Sequence, residues 1–141
     1  MRLGLFATAI AAALPLATGL AQASSPYGIW TMGKVTVELM NCGGELCGAI
    51  VDLKEPLSKI DGKPKVDRMN PDSAKRTRPL VGLDMLIGMK PVKPDEWQGA
   101  IYNPNDGNTY SASIKVKGDT LKVKGCVGGN LCKSGNFVRI Y

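Results

Sequence analysis

Val35, Val37 and Leu39 are apolar, and Lys34, Thr36 and Glu38 between them are polar. A period of two puts one face of an extended chain in a core and the other in water, which predicts a half-buried β-strand. The alternation returns over Thr109–Lys117, with Tyr110, Ala112, Ile114 and Val116 on one face and Ser111, Ser113, Lys115 and Lys117 on the other. It returns again where Leu121 and Val123 oppose Lys122 and Lys124. Gly28–Met32, Leu46–Leu53, Leu83–Met89, Trp97–Tyr102 and Gly135–Tyr141 complete a set of eight short strands. Gly33-Lys34, Asn41-Cys42-Gly43-Gly44 and Gly118-Asp119 read as turns, and Asn105-Asp106-Gly107-Asn108 as a strong hairpin turn, because Asp-Gly and Asn tolerate positive φ. Pro91 and Pro94 punctuate the chain after the fourth strand. Lys54–Arg78 has no period and holds Pro56, Pro64, Pro71 and Asp61-Gly62, which predicts a long loop with one helical turn at Asp72–Lys75. Loops of this length in small domains are often functional, although a barrel lid or plain connection needs no chemistry.

No amphipathic helix of useful length interrupts this pattern. The expected fold is therefore all-β: a single antiparallel up-and-down barrel of about eight strands with one long loop, a flattened sandwich being the alternative. An eight-stranded barrel is just filled by its own side chains or holds one small ligand.

The amino terminus changes the domain count. Met1-Arg2 is a short positive start, Leu3–Leu20 is largely apolar, and Ala21-Gln22-Ala23 is an A-x-A site. That is the layout of a secretory signal peptide over residues 1–23, cleaved after Ala23. An uncleaved anchor is the rival, but Pro15 and Gly19 interrupt the apolar run. No second long apolar run follows, so no transmembrane segment is expected after cleavage, and residues 24–141 form one domain with a modest core. The expected location is the periplasm or the exterior.

Four cysteines fit that compartment, as Cys42-x4-Cys47 and Cys126-x5-Cys132. An even count in a small exported domain reads as two disulfides. Three pairings are open; the local ones are favoured because each brackets a Gly-Gly turn. A four-thiolate zinc site is the weaker reading, since the spacings exceed the usual paired-ligand knuckle. The chain has no histidine. That removes Ser-His-Asp and Cys-His nucleophiles and His-ligated metal, and no cofactor or metal is expected. The net charge of +6 is Lys-rich and spread along the chain. Lysines alternating with apolar residues read as a solvated outer face that discourages edge pairing, not as a nucleic-acid site, while an anionic envelope surface remains a partner by attraction.

Gly28-Ile29-Trp30 on the first strand and Arg139 on the last resemble the lipocalin-type (calycin) signature, which implies a Trp packed across one barrel end with the Arg over its ring. The ordered set GIW, CGGELCGAIV, DRMNPD, RTRPLVG, EWQGAIYNPNDGNTYSA and LKVKGCVGGNLC closely resembles the DUF2147 family of small exported bacterial proteins. Phe137 stands where that family tends to have a second Trp, and Ala100 where a second Gly is common. The resemblance implies a lipocalin-like fold and an export compartment. It implies no activity.

Candidate chemistry gathers in VDRMNPDSAKRTRPLVG. Arg76 and Arg78 read either as an anion clamp or as structural partners, one of them pairing Asp67 while Asn70 or Asp72 caps a helical turn and Pro71 opens it; the structural reading is favoured. Asp61, Asp67, Asn70 and Asp72 as a calcium site fit no EF-hand loop spacing, and Pro71 stiffens the segment. Asp52, Glu55, Glu96 and Asp106 invite a carboxylate hydrolase reading without any sign that two of them meet. Trp97, Tyr102 and Tyr110 line a ligand cavity or pack across strands. The leading expectation is a binding barrel for a small apolar or amphipathic ligand. The alternative is a filled barrel acting as a structural or interaction protein of the envelope, and a hydrolase is third.

Overall fold

The structure is a computed structural model and describes residues 12–16, 19 and 24–141. The expected cleavage site at Ala21–Ala23 lies outside the described residues. Eight strands follow one another: β1 (Gly28–Met32), β2 (Val35–Cys42), β3 (Glu45–Leu53), β4 (Leu86–Lys93), β5 (Glu96–Asn103), β6 (Asn108–Lys117), β7 (Thr120–Val127) and β8 (Leu131–Arg139). The long β3–β4 connection carries one 3-10 turn, Ser73–Lys75.

Every ladder is antiparallel, and the order is β3-β2-β1-β8-β7-β6-β5-β4. Consecutive strands thus pair except β3 and β4, which stand at the two ends of the order, and β1 pairs with β8. Up-and-down connectivity puts the β1–β2, β3–β4, β5–β6 and β7–β8 connections at one end. The chain termini and the β2–β3, β4–β5 and β6–β7 turns lie at the other.

The inner faces converge on one core of Trp30, Val37, Leu39, Leu46, Ile50, Met89, Trp97, Ala112, Ile114, Val116, Leu121 and Phe137. The alternation read from β2 and β6 is what fills it: Val37 and Leu39 are buried, as are Ala112, Ile114 and Val116, while Lys115 and Lys117 are exposed.

Closure between β3 and β4 uses no continuous ladder. The segment just before β4 bridges instead: the Ile50 amide donates to the Leu83 carbonyl at 3.0 Å, Gly82 to Ile50 at 2.7 Å and Met85 to Gly48 at 2.9 Å. The Asp84 carboxylate finishes the seam by accepting from the amides of Gly48 (3.0 Å) and Leu86 (3.1 Å).

Asn41 and Cys42, expected in a turn, instead end β2, paired with Leu46 and Glu45, and the turn falls on Gly43 and Gly44. Two further strand limits differ more widely from the sequence reading. The fourth strand was expected at Leu83–Met89 and runs over Leu86–Lys93, through Pro91. Proline is tolerated there because β4 borders the seam and its register against β5 is irregular. The β7–β8 hairpin reaches four residues beyond the expected start of β8, because Cys126 and Cys132 face each other across it and the turn falls on Gly128 and Gly129. Both local disulfides are present, Cys42–Cys47 with a Cα separation of 5.8 Å and Cys126–Cys132 with 4.1 Å.

Candidate functional site

A ligand-carrying barrel needs interior room. The cavity in this one is about 30 Å3, lined by apolar groups including Leu39, Gly48, Met85, Leu86 and Phe137. That volume suits one water molecule. Pockets for small organic ligands run to roughly 300–1,000 Å3. None of Arg76, Arg78, Trp97, Tyr102 and Tyr110 lines the cavity. Trp97 is buried in the core, opposite Ile114.

The end where the chain enters and leaves the barrel is closed by Trp30, which is fully buried. Its indole N–H donates to the Pro26 carbonyl at 2.8 Å. The Arg139 guanidinium lies 4.1 Å from the ring centroid. The same guanidinium donates to the carbonyls of Tyr27 (2.7 Å) and Ser25 (2.6 Å) and meets Asp119 at 3.3 Å. One arginine thereby ties together the entering segment, the last strand and the β6–β7 turn. Gly28 is required here: its φ is +125°, and a Cβ would collide with the Tyr141 carbonyl.

At the opposite end the long loop folds against the outer face of β5. Its anchor is Asp67, a carboxylate with no exposed surface. Tyr102 donates its hydroxyl to one oxygen at 2.6 Å. Asn70 (2.8 Å) and Arg78 (Nε 2.9 Å, Nη2 2.8 Å) donate to the other. Burial pushes the Asp67 carboxyl up, but the bonds from Tyr102, Asn70 and Arg78, with the Arg78 charge, outweigh it and hold the group below its ordinary value. Burial and the Asp67 bond push the Tyr102 phenol up.

Asn70 also accepts from the Asp72 amide at 2.9 Å, and Asp72 caps the 3-10 turn by accepting from Ala74 at 3.0 Å. Pro71 therefore precedes the cap, where it was expected to open the turn. Arg76 donates to the Asn70 carbonyl at 2.7 Å. The packing is close enough that a Cβ on Gly107, in the β5–β6 turn, would strike the Met69 carbonyl. All polar atoms of this cluster that are buried have partners. Its geometry is that of a pin, although Arg78 also borders a groove of about 330 Å3, open to solvent, with Pro79, Val81, Gly82, Leu83 and Asp84.

Tyr110 is separate from Tyr102. Its hydroxyl bonds to Asp106 in the β5–β6 turn, which lowers the Asp106 carboxyl and raises the Tyr110 phenol. Of the remaining acidic candidates, Glu55 meets Lys34 and Lys59, Glu96 meets Lys93, and Asp52 is exposed on β3. Among the described residues no three Cys, Asp or Glu side chains converge as metal ligands. No helix among them is long and apolar enough to cross a membrane.

Sequence reasoning missed Asp84 as the seam latch, Tyr102 as the donor to Asp67, and Asp119 as the second partner of Arg139. Each sits far along the chain from what it binds, and one Asp in a polar stretch looks like any other.

No curated protein matches the sequence. Among solved structures, a Helicobacter pylori protein described as belonging to the lipocalin family is similar, with a TM-score of 0.69 and 20% identity over 83% of this chain and 84% of that one. At that identity the likeness is one of fold: a lipocalin-like barrel. Residues 28–139 match the family described as an uncharacterized protein conserved in bacteria, DUF2147. That span takes in the Gly28-x-Trp30 strand, both disulfides, the Asp67 pin and Arg139, and the chain belongs to the DUF2147 family.

Proposed function

We propose that this protein is exported to the cell envelope and works there as a filled barrel that meets its partner on its outer surface. The observation that carries this is the interior: a cavity of about 30 Å3 leaves no room for a small organic molecule without rearrangement. Two disulfides fit an oxidising compartment, and the leader pattern over residues 1–23 supports cleavage after Ala23 and release into the periplasm or beyond.

The test is native mass spectrometry of the protein from its own host's envelope, beside its denatured mass. The expected species is the chain from Ser24 with two disulfides and no companion. A reproducible extra mass, lost on denaturation, would overturn the filled-barrel reading and support a carrier.

That carrier is the second reading, and one feature favours it. The small cavity has an entirely apolar lining, and two of its walls, Met85 and Leu86, sit at the seam where β3 and β4 share no continuous ladder. A small apolar or amphipathic ligand would enter there once those side chains swing aside.

A further inference from the structure

We propose that the outer face of β6 and β7 docks a linear acidic polysaccharide, a carboxylate-bearing glycan lying along a ladder of lysines; this rests on the outer-surface reading above. Lys115, Lys117, Lys122 and Lys124 are all exposed, and their neighbours Ile114, Val116 and Leu121 turn into the core. The strand register makes them a grid. Lys115 stands directly opposite Lys122, Ser113 opposite Lys124, and Lys117 opposite Thr120. Same-face neighbours along a strand are about 7 Å apart and strands about 4.8 Å apart, so the four charges span roughly 15 Å from end to end.

Two like charges directly opposed in a sheet repel. The ion pairs among the described residues use other cations. Glu96 stands across from Lys115 on β5, but its carboxylate lies 3.9 Å from Lys93. Four cations on two paired strands therefore share one face, and only Lys115 has a carboxylate, that of Glu96, on the neighbouring strand.

The surroundings choose the partner. Ser134 pairs across from Lys124 and Asn136 from Lys122, while Gln98 pairs with Ser113 and Ser111 completes the row on β6. These hydroxyls and amides suit a hydrated chain of sugars, each unit offering its own hydroxyls. A bilayer would call for apolar side chains within the face, and there the sole large one is Val138 at its margin.

The far side of the barrel orients the encounter. Strand order places β2 and β3 half a turn away, and their outer face carries Glu38 and Asp52, with Glu45 paired to Lys90 at 3.9 Å. A polyanion is attracted on one side and repelled on the other.

The experiment titrates the full chain, lacking only its leader, with polygalacturonate and, separately, with vesicles of anionic phospholipid. Three proteins are compared: wild type, Lys115→Gln/Lys122→Gln/Lys124→Gln on the face, and Lys54→Gln/Lys59→Gln/Lys63→Gln on the long loop, which has the same net charge. Wild type is expected to bind polygalacturonate in a salt-sensitive way. The face variant should bind about tenfold more weakly or worse with a shallower salt dependence, and the loop variant within about twofold of wild type. The face variant should also melt no lower than wild type, since it loses the opposed Lys115–Lys122 pair.

Equal losses in both variants would overturn the proposal, leaving only net charge. Binding to vesicles but not to polygalacturonate would overturn the partner class while leaving the outer-surface reading intact. Binding to neither would overturn the inference, whereas a companion mass in native spectra would overturn the reading beneath it.

Discussion

Both ends of this barrel must hold a stretch of non-strand chain against the sheet, and they do it by opposite physics. At the chain-terminus end an indole is buried whole, and a guanidinium covers it while collecting the Ser25 and Tyr27 carbonyls. At the loop end a carboxylate is buried whole, and its donors come from the loop itself and from β5. The first pin draws on apolar area, which stabilises wherever it is placed out of water. The second is favourable only while every bond to Asp67 is made, because a buried charge with a missing partner is costly. A pin of the first kind tolerates small errors, while a pin of the second kind fails abruptly.

The largest expected effect breaks the first pin. Trp30→Ala removes the biggest fully buried side chain and should destabilise by about 3–5 kcal/mol in urea unfolding. A change below about 1 kcal/mol would mean that the ring does not close the core. Asp67→Asn comes next. It keeps the shape but removes the charge facing Arg78 and places an amide N–H₂ where an acceptor is needed. The expected loss is about 2–3 kcal/mol, with the loop from Val66 to Arg78 becoming the first site of proteolysis. If Asp67→Asn costs as much as Trp30→Ala, the loop belongs to the same cooperative unit as the core.

These two pins also differ in how far the sequence discloses them. The strand pattern was legible because period-two alternation is a local signal, and β2 and β6 show it in nearly every residue. Trp30 and Arg139 were legible as a pair through the resemblance to the lipocalin-type signature. The Asp67–Arg78 pair was readable as one of several options inside a single charged loop. Its partner Tyr102 was not, because a tyrosine in a strand reads equally well as a cavity wall, a core residue or a donor. What separates those readings is which face of β5 the ring occupies and what the loop lays over it. Both depend on contacts 35 residues apart in sequence. The placement of β4 was missed for a related reason: Pro91 reads as a strand terminator unless one knows that the strand borders a seam.

Arg139→Lys tests whether the closed end needs a guanidinium or only a charge. A lysine retains attraction to Asp119 but cannot stack on the ring while reaching two carbonyls. The expected loss is about 1–2 kcal/mol, with faster amide exchange around Tyr27 and an unchanged loop end. Full retention of stability would show that the indole alone closes the barrel.

The smallest expected effect is the most discriminating. Tyr102→Phe removes one hydroxyl and should cost about 1 kcal/mol at neutral pH. Its consequence at low pH is more specific. Asp67 is held below its ordinary value in the folded protein, so its contribution is fully present above the unfolded value, about pH 3.9, and is lost as pH falls through the lowered folded value. Taking away the Tyr102 bond moves the folded value back up, which shrinks that contribution and raises the pH at which it disappears. Stability measured from pH 7 to pH 2 should therefore show a steeper acid limb in wild type than in Tyr102→Phe, and the shallowest limb in Asp67→Asn, which has no carboxyl there to protonate. At alkaline pH the order is set by the phenol instead: its raised value means that wild-type stability falls as the unfolded tyrosine ionises near pH 10, and Tyr102→Phe lacks that loss. A Tyr102→Phe protein with an acid limb identical to wild type would mean that Asn70 and Arg78 hold the carboxylate unaided. The loop pin would then depend on its own residues alone, independent of the strand it lies on.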